Sequence, residues 1–186
     1  PPSVTFPVVV PKSAAIVPNP ITYNNIAGSY TALSMYPEAI QSLRKAVDLD
    51  PNYAEGFCNL GIAQRNAGSL KDSLNSLNKA TRLSPKYRQA LTEKGFTYSS
   101  LGKHAHSLEC HINASKLDPA FAESYQHIGD ALLKMDRISE ALSNYARAIE
   151  LKPNNVEAYS HRGGALKKAG RLDEALTDYN SAIALR

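Results

Sequence analysis

Residues 54–85 read AEGFCNLGIAQRNAGSLKDSLNSLNKATRLSP, and residues 122–153 read AESYQHIGDALLKMDRISEALSNYARAIELKP. The second stretch returns after two periods of 34 residues, and that period runs through most of the chain. Pro51, Pro85, Pro119 and Pro153 keep it, as do Ala46, Ala80, Ala114, Ala148 and Ala182. Leu49, Leu83, Leu117, Leu151 and Leu185 form a third series, and Ala27, Gly61, Gly95, Gly129 and Gly163 a fourth. A fixed period of this length predicts a helical solenoid, in which each unit buries its apolar face only against its neighbours. Function is then expected on the surface that the stack leaves open.

Each unit reads as two helices. Phe57, Leu60, Gly61 and Gln64 fall on one face of a first helix, and Leu70, Ser73, Leu74, Leu77 and Ala80 on one face of a second. A breaker separates the halves: Ser34, Gly68, Gly102, Asp136 and Gly170, where glycine suits the left-handed conformation that ends a helix. Proline after the second half stops that helix and opens the link to the next unit. The recurring Gly or Ala of the first helix and Ala of the second let the two backbones approach closely.

These residues resemble the tetratricopeptide-repeat family. The aromatic slot holds Tyr23, Phe57, Leu91, Tyr125 and Tyr159, and the Gly/Ala slot follows it. The next slot holds Tyr30, Gln64, Tyr98, Leu132 and Leu166. In the second helix a small slot holds Ala39, Ser73, Ser107, Ala141 and Ala175, followed by a bulky one with Leu43, Leu77, His111, Tyr145 and Tyr179. The resemblance implies an all-α, right-handed solenoid of five repeats over residues 20–186, with bounds 20–53, 54–87, 88–121, 122–155 and 156–186. A Pro-rich extended arm over residues 1–19 precedes it.

Composition narrows the function classes. The formal net charge is +4, spread along the chain, with no Arg-rich stripe and no interleaving of aromatic and basic residues, so nucleic-acid binding is unprompted. No run approaches the roughly 18 consecutive apolar residues of a membrane span. Cys58 and Cys110 lie in different units and are expected to be reduced, which points to an intracellular, cytoplasmic setting with an organelle left open. Neither cysteine has metal-type spacing. His127 and His161 hold the same slot in adjacent units, roughly 10 Å apart by helix packing, too far for one ion. His104 and His111 take apolar slots and read as polar substitutions in the core. No Ser, His and carboxylate set, phosphate loop or acid pair stands out. The expectation is therefore a non-enzyme without cofactor or metal.

The binding argument rests on the non-core positions of the first helices, which line the inner face of such a stack. They include Ile21, Asn24, Asn25, Gly28 and Thr31 in the first unit and Glu55, Cys58, Asn59, Ile62 and Arg65 in the second. Phe96, His127, Asp130, His161 and Lys167 continue the row. Ile62 and Phe96 are apolar in slots the core does not need, and so suit an anchor for a peptide side chain. Asn25 and Asn59 form a short asparagine pair able to bond an extended backbone in both directions. The repeat region of O-linked N-acetylglucosamine transferases is similar there, although its ladder is longer, and this one breaks at Glu93. The family also contains a two-carboxylate clamp of Lys, Asn, Asn, Lys and Arg for acidic chaperone C-termini. Asn24, Gly28, Asn59, Gln89 and Glu93 hold those slots, and only Asn59 matches. Glu55, Glu93, Glu123, Asp130 and Glu157 instead make the groove acidic, so the expected ligand is a neutral or basic segment with an apolar anchor.

The arm PPSVTFPVVVPKSAAIVPN has no helical period, and its prolines favour an extended path. It reads as a cap on the first unit, a partner-binding segment or a tether. Asn19 and Pro20 suit the cap and first turn of the opening helix. At the other end Ile183 and Leu185 lack a polar covering helix, so a longer protein, a partner or self-association through uncapped ends is expected. The leading functional reading is a scaffold that binds another protein within a multiprotein complex. The alternatives are the substrate-recruiting repeat region of a larger enzyme, such as a glycosyltransferase, and a homo-oligomeric structural role.

Overall fold

The computed structural model describes residues 19–185; of the arm expected over residues 1–19, all but Asn19 lies outside them. Ten α-helices are present among the described residues and no strand: α1 Pro20–Ala32, α2 Tyr36–Leu49, α3 Ala54–Asn66, α4 Leu70–Leu83, α5 Arg88–Ser100, α6 His104–Leu117, α7 Ala122–Lys134, α8 Ile138–Leu151, α9 Val156–Lys168 and α10 Leu172–Ala184. Asn19 caps α1 as expected, its side-chain oxygen accepting from the Ile21 N–H at 2.8 Å, with Pro20 in the first turn.

The breaker works as the sequence predicts, glycine or not. Gly68, Gly102 and Gly170 have φ of +81°, +71° and +76°, and Ser34 and Asp136 adopt the same region at +58° and +61°. The residue after each breaker donates its N–H five residues back: Met35 to Tyr30 at 2.8 Å, Ser69 to Gln64 at 2.8 Å, Lys103 to Tyr98 at 2.9 Å, and Arg137 to Leu132 and Arg171 to Leu166 at 3.0 Å. This left-handed closing turn satisfies carbonyls at the helix end and reverses the chain within three residues, so consecutive helices pack antiparallel as a hairpin.

The small slot of the first helix meets the bulky slot of the second. A Cβ on Gly61 would lie 2.6 Å from Leu77, on Gly95 2.5 Å from the His111 ring, on Gly129 2.6 Å from Tyr145, and on Gly163 2.9 Å from Tyr179. The sequence reading took the small residues as a device for backbone approach; the structure assigns the freed space to these large side chains. Ala46, Ala80, Ala114 and Ala148, at or below 1% exposure, close the rest of the interface.

Within each junction between pairs, a second helix lies on the first helix of the next pair: α2 on α3, α4 on α5, α6 on α7 and α8 on α9. The first helices also touch one another, α1 with α3, α3 with α5 and α7 with α9, whereas the second helices do not pack comparably. The first-helix layer is thus the tighter, inner side of the solenoid. No described helix is long and apolar enough to cross a membrane.

Two glycine substitutions separate space from helix propensity. Gly28, inside α1, has nothing within 4 Å of an added Cβ. Gly28→Ala is expected to raise stability by about 0.5–1 kcal/mol. Gly129→Val is expected to lower it by about 2 kcal/mol or more, because the Tyr145 ring must move. Urea midpoints followed by helical circular dichroism compare the two.

Candidate functional site

The inner layer carries the predicted residues on α1, α3, α5, α7 and α9, and side-chain contacts divide them into groups. Arg65, Phe96 and His127 come together across three first helices. The Arg65 guanidinium lies over the Phe96 ring at 5.4 Å and donates to Glu93 Oε2 at 2.8 Å. Phe96 stands edge-on to His127 at 4.7 Å and to His111 at 5.3 Å between ring centroids. Burial pushes the Glu93 carboxyl above its ordinary value, with Arg65 opposing. Asp130 and His161 form a second group. Asp130 Oδ1 accepts from the Tyr145 hydroxyl at 2.7 Å and pairs with His161 Nδ1 at 2.8 Å. That hydrogen bond raises the His161 pKa against the opposing effect of burial.

Several expectations change. Asn59 Nδ2 donates to Asn24 Oδ1 at 2.8 Å, and Asn24 Nδ2 donates to Glu55 Oε1 at 3.3 Å, so part of the Asn59 amide is already engaged within the protein. Asn25 is exposed and lines the same end of the groove as Asn59. Cys58 does not line the groove. It is fully buried in the cluster of Leu77, Ala80 and Ala90, and burial raises its thiol to about 12. Asn24 and Gln126, in the same slot, are also buried. Ile62 packs half-buried on that cluster, so the apolar anchor surface is the edge of the core rather than a separate patch. The groove is less acidic than its composition, since Glu123 pairs with Lys152 at 2.7 Å and Glu93 and Asp130 are engaged as above. Lys167 sits exposed in the last turn of α9, away from both groups.

Sequence reasoning missed the groove roles of His111 and Tyr145, which it assigned to the core. Both are buried, yet their polar ends reach the inner layer, where Tyr145 bonds Asp130 and His111 stacks with Phe96 and His127. The available signal was a polar-tipped ring in a slot that Leu43 and Leu77 fill elsewhere. At the first end of the groove, Gly28 leaves a concavity of about 560 Å³ lined by Asn24, Asn25, Leu43, Asn59 and Ile62.

Stacked helix pairs with their polar and aromatic side chains gathered on the inner layer define an α-solenoid. Family models described as TPR repeat and tetratricopeptide repeat match residues 29–68 and 129–170, and residues 156–186, together just over half of the chain, and the chain belongs to the tetratricopeptide-repeat proteins. It is 32% identical over 56 residues to the small glutamine-rich tetratricopeptide repeat-containing protein 2 of Saccharomyces cerevisiae, a match spanning 30% of this chain and 16% of that relative. Among solved structures, MamA residues 41–end from Desulfovibrio magneticus RS-1 superposes with a TM-score of 0.78 at 20% identity, over 89% of this chain and 94% of that one. YrrB, described as a TPR protein with an unusual peptide-binding site, superposes with a TM-score of 0.69 at 22% identity, over 89% and 86%.

The buried imidazole gives the site a pH signature. Burial, reinforced by His127, lowers the His111 pKa from 6.5 to about 3, and its Nδ1 has no partner. As pH falls, the unfolded chain takes up this proton first, so the stability is complete above 6.5 and declines below it. Between pH 6.5 and 5 the loss is about 1–2 kcal/mol. His111→Leu, which installs the residue of the first two units, is expected to remove that component. Urea midpoints of both proteins across this range measure it as a difference.

Proposed function

We propose that the chain is a non-enzymatic protein-interaction scaffold that holds an extended segment of a partner along its inner layer, as one part of a multiprotein assembly. The carrying observation is the run of Ile62, Arg65, Phe96 and His127: partly buried, rigidified by mutual contacts, and presenting apolar and aromatic surface between polar groups. Rings locked by neighbours lose little entropy on binding, which favours them as anchors. The existence of a peptide-binding site in YrrB supports use of the fold in this way.

The ligand is a neutral or basic segment with one apolar side chain seated between Ile62 and Phe96. Engagement of Glu93, Glu123 and Asp130 within the protein moves the preference toward neutral. A carboxylate-terminated acidic peptide is disfavoured, since Arg65 is already committed to Glu93. The self-pairing of Asn24 and Asn59 also leaves little of an asparagine ladder for a backbone to read.

Selection from a random-peptide display library on the full chain tests this reading. Selected peptides are expected to share an apolar residue and to carry zero or positive net charge. Phe96→Asp is expected to weaken them at least tenfold, about 1.4 kcal/mol or more. Acidic selections, or unchanged affinity in both Ile62→Asp and Phe96→Asp, would reject it.

A further inference from the structure

In the middle of the stack, where α4 meets α5, lies a concavity of about 520 Å³ lined by Asn75, Asn78, Thr81, Arg82 and Lys94. All but Lys94 stand on α4, a helix of the outer layer, and none is acidic. A second concavity, of about 430 Å³, lies two repeat periods further on and contains the matching slots: Ser143 for Asn75, Ala146 for Asn78 and Arg162 for Lys94. The two differ in their charge balance. Arg162 donates to both carboxylate oxygens of Asp178 at 2.7 Å, and Arg171 pairs with Glu174 at 2.6 Å. The cations of that second concavity are thus neutralised from within the chain.

Lys94 lacks such a partner. The slot of Asp178 holds Cys110 in α6, a buried residue whose thiol burial pushes up to about 11, with the Lys94 charge opposing. A thiol held so high is neutral at pH 7 and offers the ammonium no counter-charge. Lys94 also occupies a junction slot that Leu60 and Ile128 fill as buried aliphatic residues. It is half-buried there, with Nζ 5.9 Å from the centre of the Tyr98 ring. Arg82 is the second cation. Its Nε donates to the Asn78 carbonyl at 3.3 Å, which engages one of the five donors of the guanidinium. Neither Arg82 nor Lys94 forms an ion pair among the described residues, and Glu109, exposed on α6 in the slot of Thr177, pairs with neither.

We infer that this concavity seats a phosphate monoester carried on a side chain of a partner protein, held between Lys94 and Arg82 with the Asn75 and Asn78 amides beside them. The charge balance selects the ligand. Two uncompensated cations suit a group that brings nearly two negative charges and three strong acceptor oxygens. A carboxylate brings one charge and leaves the second cation unpaired. The guanidinium fork can bind two phosphate oxygens at once, and the ammonium adds a point charge. The remaining volume accommodates the side chain that carries the phosphate. None of the lining residues belongs to the inner row, so this contact is independent of the peptide binding proposed above.

Amide NMR titration of the ¹⁵N-labelled full chain tests this with a short glycine-rich peptide carrying one phosphoserine, with its glutamate counterpart, and with inorganic phosphate. The phosphopeptide is expected to shift resonances around Asn75, Asn78 and Lys94 and to saturate with a Kd below about 1 mM. The glutamate peptide is expected to bind at least about tenfold more weakly, and inorganic phosphate at least about threefold. Lys94→Ile, which installs the residue of α7, and Arg82→Gln are each expected to weaken the phosphopeptide about tenfold or more with helical circular dichroism unchanged. Cys110→Asp keeps both cations and supplies the acid found opposite Arg162, and it is expected to weaken binding to a similar degree. If Cys110→Asp does not fold, Lys94→Ile decides the question. Absence of saturable shifts at this site overturns the inference, as does a glutamate peptide that binds equally well. Unchanged binding in Lys94→Ile reduces the contact to an adventitious one, and inorganic phosphate that binds as tightly as the phosphopeptide removes the partner side chain from it.

Discussion

Once per helix pair, a residue with almost no side chain on the first helix faces a bulky side chain of the second, and the rest of the architecture depends on that contact. An added Cβ at Gly95 or Gly129 would fall about 2.5 Å from a ring carbon, well inside van der Waals contact. The small slot therefore fixes how deeply the bulky residue inserts, and that depth sets the spacing of the hairpin. Since the same contact recurs with a 34-residue period, each hairpin offers its neighbour the same pair of faces. Stacking is then the only way to bury them.

The left-handed turn between the helices is the second requirement, and it shows how a backbone demand is met by different side chains. Ser34 and Asp136 adopt positive φ where Gly68, Gly102 and Gly170 do so without steric cost. Asp136 has a compensating contact, an ion pair with Lys168 at 2.7 Å. The hydrogen bond from the following residue to the carbonyl five residues back is made in all five turns, so geometry is conserved while identity is not.

The fold was legible because period, breaker and small-residue slots all point to one structure. The groove was legible only in part. Slot counting places a residue on a helix face, but it does not say which neighbour its side chain meets. The Asn59 amide is therefore found bonded to Asn24, and Cys58, read as groove-lining, is buried against α4 and α5. Charges were misjudged for a related reason. Counting acids gave an acidic groove, whereas Glu93, Glu123 and Asp130 each have a partner far along the chain, at a separation that no local pattern reveals.

The bulky slot links stability to recognition. Along the chain it holds Leu43, Leu77, His111, Tyr145 and Tyr179, so the part of each residue that packs against the small slot changes little while its far end changes from methyl to imidazole to phenol. In the first two units that end is apolar and continues into Leu43 and Ile62 beneath the Gly28 concavity. In the third it meets Phe96 and His127, and in the fourth it holds Asp130. The inner surface thus grades from apolar to polar along one row of core residues. A substitution in that row moves the groove and the core together, which limits how freely binding preference can change. Positions such as Phe96 and Asp130, one residue beyond the small slot on the first helix, touch the far end of the bulky residue without filling the small slot that sets the hairpin spacing. They are where a stack of this kind can vary its ligand while keeping its spacing.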